Sequence, residues 1–592
     1  MTGNAAVTLP LDVVESVTVI VNPYDPEYGR LTGGVASVET TTGNFDAFRF
    51  TMQNLAPRVR RRDGDFMGLE ASTPRMTLTG PLIKNRVAIT QSVEYRFVRT
   101  PVSSLPPTRR DTKIESFNSF TQVDINLTQR QTMSVSLALF PQKYNYLGLN
   151  AFTPQESTPD LHQRGYMVSL QHHFALSADS MVTSEFSYKR FDADVTPNSA
   201  APYVLSMETA EGGFFDRQQR NSNRFEARET WQREVHEFMG SHEFKAGAEF
   251  SRNTYSGTVE MLPVSILGTA DLPIENISFG PAVRFGVHDN EVAWFAGDKW
   301  SPFQRLTLDL GLRFDQDNLA RRLNTVPRFG FALSLTKDAK TVPKGGVGLF
   351  YDRIPLNVAA FPLLPDRIVT VLDGADAVSQ ATLYANRFYG PLLDPRSLGW
   401  NLELDRRISS GLIVRAAYLE RNTVHSFVLD PSAADGGNGL LSRASTGHSF
   451  YREFQVTGQY RFRQDNVNAS YVRSKTFGDL SDFNQFFGND PAVVIQPDVR
   501  VRQPFDAPNR VLFWGVLQAP FRLTVSPVLD VHTGFPYSVI NEYRQFIGTP
   551  DSQRFPRFAS LDLQITRPLT LHLGHRKLHT RVMPRMQSAL RR

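Results

Sequence analysis

Residues 305–315 read RLTLDLGLRFD, and the two kinds of side chain alternate without a break. Leu306, Leu308, Leu310, Leu312 and Phe314 hold the even positions, while Arg305, Thr307, Asp309, Gly311, Arg313 and Asp315 hold the odd ones. Successive side chains of a strand point to opposite faces. The segment is therefore a strand with one aliphatic face and one face carrying four charges. The pattern recurs. Val123, Ile125 and Leu127 alternate with Gln122, Asp124 and Asn126, and Met133, Val135, Leu137 and Leu139 with Thr132, Ser134 and Ser136. Phe244, Ala246, Ala248 and Phe250 alternate with Lys245, Gly247 and Glu249. Leu398, Trp400, Leu402 and Leu404 alternate with Asn401, Glu403 and Asp405, and further copies follow at 454–462 and 561–566. A period of two over this many segments predicts strands, and few stretches have a helical period.

The joints between these strands come in two lengths. TQRQ (128–131), LSADS (176–180), WSPFQ (300–304), RISSG (407–411), RQDN (463–466), APF (519–521) and RPLT (567–570) read as tight turns. Between them lie stretches rich in Pro, Gly, Asn and aromatics, at 141–163, 194–223, 255–286, 354–396, 424–448 and 478–506. An antiparallel meander with that rule has its tight turns at one end and its long loops at the other, as outer-membrane barrels do. A soluble sandwich or propeller also alternates. It does not explain charges on the polar face in strand after strand, and no repeat of about 40–50 residues is present. The expected fold is all-β: a large antiparallel transmembrane β-barrel of about 21–22 strands, with a water-filled interior. Bacterial single-chain barrels have even strand numbers, so a count of about 21 implies one strand missing from an end.

The segment before the barrel, VESVTVIVNPYDPEYGRLTGGVASVETTTGN (14–44), reads as strand, turn, strand. Its block EYGRLTGGVASVETTTG (27–43) resembles the end of the plug domain of TonB-dependent outer-membrane receptors. RLTLDLGLRFD and RFPRFASLDLQITRPLTL (554–571) resemble their barrel strands. HDNEVAWFAGDKWSPFQRLTLDLGLRFD, KGGVGLFYDR (344–353) and TGFPYSV (533–539) resemble the Oar-like subgroup, whose members usually also carry an N-terminal carboxypeptidase-regulatory-like domain. The resemblance spans about 14–574 and divides the chain into a plug remnant (1–44), a barrel (45–574) and an aberrant basic tail (575–592). It implies import of a scarce or bulky nutrient such as a siderophore, saccharide or peptide. TonB and its inner-membrane complex would supply the energy, and no covalent chemistry would occur. A surface binding or adhesion barrel without active transport is the alternative. The chain departs from the family pattern. It shows no signal peptide, no TonB box and only a fraction of a plug, and the tail HLGHRKLHTRVMPRMQSALRR loses alternation after Leu573 where the family ends in an aromatic strand. A truncated or partial product is the expectation.

Glu27, Tyr28, Gly29, Arg30, Gly33 and Gly34 are expected to frame the plug, the glycines because only glycine takes positive φ freely in a sharp turn. Arg58, Arg60, Arg61 and Arg62 in the first loop, with Arg109 and Arg110 in the next, are candidate contacts for lipopolysaccharide phosphates, which guanidinium pairs bidentately. By strand parity both loops lie on the long-loop side. Tyr144, Tyr146, Phe152, Phe214, Phe215, Phe486 and Phe487 either grip a ligand or pack the loops together.

Composition narrows the rest. The 592 residues contain no cysteine, which excludes disulfides and thiolate metal sites. A net charge of +5 over that length does not argue for nucleic acid. No stretch of about 18 apolar residues predicts a spanning helix, but a spanning strand needs only about 9–11. His572, His575 and His579 read as a chance cluster in the tail, and His172 and His173, adjacent on a strand, face opposite ways. No hydrolase elbow, zinc-protease motif or phosphate loop is present, and GGVG (345–348) is followed by no helix. No cofactor or metal is expected. The ligand stays unnamed, since one scaffold serves many cargoes.

Overall fold

The computed structural model describes residues 7–21, 24–62, 65–236, 238–373, 377–433, 438–480, 483, 488–573, 576–582 and 585–589. The alternating segments pair as predicted, each with its chain neighbour and antiparallel. The Leu306–Asp317 strand lies between Val283–Phe303, where Trp300 opposes Leu308, and Leu323–Leu333, where Phe331 opposes Leu308. The two faces separate as the sequence requires. Leu310 and Leu312 are 40% and 39% exposed on the outside, and Arg313 is 0% exposed on the inside. Trp231 and Trp300, near the tight turns, donate their indole N–H groups to Ser180 Oγ (3.0 Å) and Met239 O (2.9 Å). An aromatic ring with one wet end suits a membrane interface.

Several strands are far longer than a bilayer requires. Ser241–Met261 presents Phe244, Ala246, Ala248 and Phe250 outward, then switches on the same face to Arg252, Ser256 and Glu260. The apolar band thus ends near Phe250, and the wall continues into water. Much of what reads in sequence as long loop is this extended wall, including Asp216–Val235, Leu412–Ala433 and Asn438–Phe462.

Further loop strands extend the same sheet at the long-loop end, joined to the wall where Ala377–Tyr389 pairs with Asn438–Phe462. Tyr203–Leu205 pairs in parallel with Val264–Leu267, which joins Pro273–Phe279, Arg367–Asp373 and Ala377–Tyr389 in turn. Beneath it pack Phe214, Phe215, Ile266, Ile277 and Phe361, all buried. Phe215 stacks on Tyr203 and Phe279, and Phe214 packs tilted against Phe215 and edge-on to Tyr203. These two aromatics pack the loops together. Phe152 stays exposed, Tyr144 and Tyr146 are half-buried, and Phe486 and Phe487 lie outside the described residues. A short helix, Leu356–Ala360, turns its buried residues into the same cluster.

Two joints differ from expectation at the C-terminal end. RPLT lies within the continuous Phe558–Leu573 strand. The tail, expected to be aberrant rather than a final strand, pairs with that strand through Arg576–Val582 and Arg585–Ala589 in the same register. Ladder bonds use the backbone, so a segment without alternation still adds to an open strand edge. His575 lies outside the described residues, as do the side chains of His572 and His579. Among the described residues no cluster of three or more His, Asp or Glu is placed to hold a metal.

Candidate functional site

The N-terminal segment runs inside the wall. Val14–Ile20 and Val35–Thr40 form a hairpin that pairs with no barrel strand. Its leads touch inward-facing side chains: Thr40 Oγ1 donates to Gln122 Oε1 (2.9 Å), the Gly43 N–H to Asp124 Oδ2 (2.7 Å), and Arg75 pairs with Asp12 (3.6 Å).

The tip of the hairpin is clamped. Asp25 accepts a hydrogen bond from the Glu27 N–H (2.9 Å) and its carbonyl accepts from the Tyr28 N–H, the local turn an Asx residue favours. Lys245 bridges Asp25 and Glu27, the latter at 2.8 Å, and Arg228 reaches Glu27 at 3.6 Å. Arg328 donates to Asp25 O (2.7 Å) and Arg421 to Val21 O (2.7 Å). Tyr24 donates its hydroxyl to Asn401 Oδ1. Arg313 donates to Glu27 O (3.0 Å) and Pro26 O (3.4 Å) while paired with Glu249 (3.1 Å) and Asp315 (2.8 Å). Arg30 is buried against Asp317 (3.1 Å), Asp315 (3.5 Å) and Glu291 (3.9 Å), and also donates to Gln316 O (2.9 Å). Buried charges persist only where paired and hydrogen-bonded, and here the pairs join segment to wall.

The glycines act differently from expectation. None of Gly29, Gly33 and Gly34 has positive φ; the left-handed residue is Arg30, at φ 57°. Gly29 is needed for approach, because a Cβ there would sit 2.2 Å from the Arg313 guanidinium. At Gly34 a Cβ would meet Ile20 O across the hairpin at 2.7 Å, and at Gly33 it would meet nothing within 4 Å. The wall contributes glycines that sequence reading missed. Gly297 opposes Gly311, and Gly330 opposes Gly346, on four neighbouring strands. Pro26 lies against the first two and the Tyr24 ring against the second two. The four form a trench that receives Tyr24–Pro26. Arg313, Lys245 and Asn401 were legible as inward-facing polar residues, but not as partners of this segment, and Arg228 and Arg328 were not singled out.

The candidate arginines lie together at the long-loop end. Arg60 Nη1 donates to both carboxylate oxygens of Asp111 (2.8 and 3.0 Å), tying the first loop to the second, and Arg58 pairs with Glu70 (3.2 Å). Arg109 is exposed and Arg110 half-buried; the side chains of Arg61 and Arg62 lie outside the described residues. Of the paired histidines, His173 faces inward and contacts Thr183 Oγ1 (3.1 Å), while His172 stacks on Phe174.

Two cavities open in the loop sheet. One, of about 430 Å³, is lined by Ile277, Val369, Tyr384, Val494 and Phe546 with Glu275 and Arg367. Burial holds the Glu275 carboxyl above its usual range, partly offset by Arg367, and burial pushes Arg367 down to about 10. The other, of about 400 Å³, is lined by Tyr203, Phe214, Asp490 and Arg544. Burial raises the Tyr203 hydroxyl to about 12.

A charged interior, an apolar exterior band, tight turns at one end and built-up loops at the other define a transmembrane β-barrel of a Gram-negative outer membrane. Part of it resembles the barrel of the TonB-dependent receptors. Residues 106–355 match the family model described as TonB dependent receptor-like, beta-barrel, and residues 319–556 match that of an outer membrane beta barrel domain. No curated protein matches the sequence. Solved structures are similar in fold. The outer membrane transporter YddB from Escherichia coli has a TM-score of 0.67 at 13% identity, over 97% of this chain and 84% of that one. The siderophore receptor PirA from Acinetobacter baumannii gives 0.65 at 12%, over 94% and 79%. A mutant of the ferric enterobactin receptor PfeA from Pseudomonas aeruginosa gives 0.67 at 12%, over 94% and 78%.

Proposed function

We propose that this chain imports a scarce or bulky nutrient across the outer membrane, and that residues 1–44 act as the plug of the barrel at 45–574. The carrying observation is the clamp. A barrel of this width needs an internal element to close it, and Tyr24–Arg30 is held against the lumen wall by a group of ion pairs and hydrogen bonds. Release of that group as a unit makes the segment a bistable switch. The cargo is first captured in the two loop cavities, where aromatic and apolar walls surround a few polar groups. TonB then pulls on the plug through the inner-membrane complex. Siderophore, saccharide and peptide are the cargo classes to test, siderophores first, given the printed ligands of the similar structures. Arg58, Arg61, Arg62, Arg109 and Arg110 meet lipopolysaccharide phosphates at the outer rim, with Arg60 committed to Asp111.

The test is accumulation of labelled cargo of each class in cells expressing the gene, with and without a working TonB complex. Import of one class that vanishes without TonB supports the proposal. Equal accumulation in both strains, from a barrel present in the outer membrane, overturns it in favour of surface binding without active transport.

A further inference from the structure

The tight-turn end of the wall has a chemistry that turns in water do not need. Turn residues are ordinarily small and polar, yet Ile83, Phe303, Ile408, Phe462 and Phe521 are 50–79% exposed there. A cation stands beside each of them: Lys84, Arg305, Arg407, Arg463 and Arg522, all exposed. The same pairing recurs in the turns at 127–130 and 335–340, while the turn at 177–180 has no cation. Carboxylates do little to neutralise this rim. Among the described residues of these turns, Asp338 is taken by Lys340 (2.7 Å), Glu234 faces His236 (3.6 Å) and Asp465 accepts the Gln518 N–H (2.7 Å). Asp179 lies in the turn without a cation.

The cations begin where the lipid-facing band stops. On Arg396–Arg407 the outward series Leu402, Leu404 runs directly into Arg406. The Arg463 guanidinium lies 5.1 Å over the Phe462 ring, which stacks on Tyr460 of the same outer face. Exposed apolar side chains flanked by Lys and Arg are the chemistry of segments that lie in the headgroup region of a bilayer. The apolar part enters the acyl boundary, and the cation stays at the level of the phosphates.

We propose that the tight-turn rim is a binding surface for anionic phospholipid headgroups, of the phosphatidylglycerol kind, in the leaflet on that side. The phosphodiester carries the charge and the guanidinium groups pair with its oxygens. Ile408, Phe462 and Phe521 enter the acyl boundary beside it. The surface is distinct from the lumen segment and from the arginines of the outer rim, and it holds whatever the cargo is.

Spin-labelled lipids test it. The protein is refolded into phosphatidylcholine bilayers containing a trace of spin-labelled phosphatidylglycerol or spin-labelled phosphatidylcholine. The motionally restricted fraction is read by electron paramagnetic resonance. Phosphatidylglycerol should be enriched at the protein by up to about fivefold, the effect of one cation near an anionic lipid. The preference should fall in about 1 M salt, where screening is nearly complete beyond ~3 Å. This arm needs no variant. The triple variant Arg407→Gln, Arg463→Gln, Arg522→Gln should lose most of the preference. Arg217→Gln, Arg252→Gln, Arg284→Gln removes the same charge from the outer face at the long-loop end and should keep it. Equal restriction of the two lipids by the unmodified protein overturns the proposal, as does loss of preference in the second triple variant and not in the first. Equal restriction together with retention on immobilised polyglutamate, abolished in the first triple variant, overturns it in favour of an acidic protein partner.

Discussion

Gly29→Ala tests the clamp with a single methyl group and leaves the barrel wall untouched. The added Cβ would lie 2.2 Å from the Arg313 Cζ and Nε. An arginine tip can ordinarily swing aside, but this one is 0% exposed and held by Glu249 and Asp315 at 3.1 and 2.8 Å. The segment therefore yields, and loses the Arg313 bonds to Glu27 O and Pro26 O. A hydrogen bond from a charged donor is worth about 1.5–3 kcal/mol. Counting the 3.0 Å bond in full and the 3.4 Å bond at a fraction gives about 2–4 kcal/mol, or roughly 30- to 1000-fold in the undocked population. Gly33→Ala is the control, because its Cβ meets nothing within 4 Å. Hydrogen exchange of residues 14–40, read by mass spectrometry on the folded barrel, should accelerate in Gly29→Ala and not in Gly33→Ala. Equal protection in the two variants, or greater loss in Gly33→Ala, refutes the account of the clamp.

Lys245→Met removes the bridge to Asp25 and Glu27 and should also speed exchange in 14–40, with barrel assembly intact by heat-modified gel mobility. Leu310→Arg places a charge within the lipid-facing band and should destabilise refolding into bilayers by up to about 2–4 kcal/mol, whereas Thr307→Arg, facing the lumen, should not; a larger loss from Thr307→Arg reverses the assignment of faces. The loop sheet should respond to pH through Glu275. A carboxyl held above its ordinary 4.5 favours the folded state below that value, and its contribution is lost as pH rises through the raised pKa. Exchange of 264–279 should therefore be slower at pH 4 than at pH 8 once intrinsic rates are corrected, and Glu275→Gln should flatten the difference.

The wall was legible in the sequence because alternation is local: Leu310 and Arg313 reveal their faces from their immediate neighbours. The boundary between membrane and water was not, since Ser241–Met261 keeps one period across it and changes only the chemistry of its outer face at Arg252. The site was half legible. Glu27 and Arg30 stood out as a charged block, but the reason for Gly29 lies 284 positions away in Arg313. Positive φ fell on Arg30 rather than on any glycine beside it, because the buried carboxylates that grip Arg30 hold that backbone conformation. Phe214 and Phe215 gave no sign of their role, since a ring that grips a ligand and a ring that packs a loop have the same sequence signature. The tail misled for the opposite reason: side-chain alternation was absent, and the backbone paired without it.

The trench explains why four barrel strands carry glycine at one level, a choice that costs strand stability. With ordinary side chains at 297, 311, 330 and 346, Tyr24–Pro26 would be held away from the wall, and Arg313, Arg328 and Asn401 could not reach its backbone and hydroxyl. The glycines thus convert inward charges that would merely be solvated into direct partners of the segment. Gly346→Val separates this from a purely local effect. Its Cβ would strike the Tyr24 ring at 2.5 Å, but also Phe329 O on the neighbouring strand at 2.5 Å. Tyr24→Ala removes the first collision and leaves the second. If the trench exists to seat the segment, Gly346→Val should expose residues 14–40 to exchange, and the double variant should be no more exposed than Tyr24→Ala alone. Additive losses would mean that the glycine serves the strand pairing instead, and that the seat is incidental.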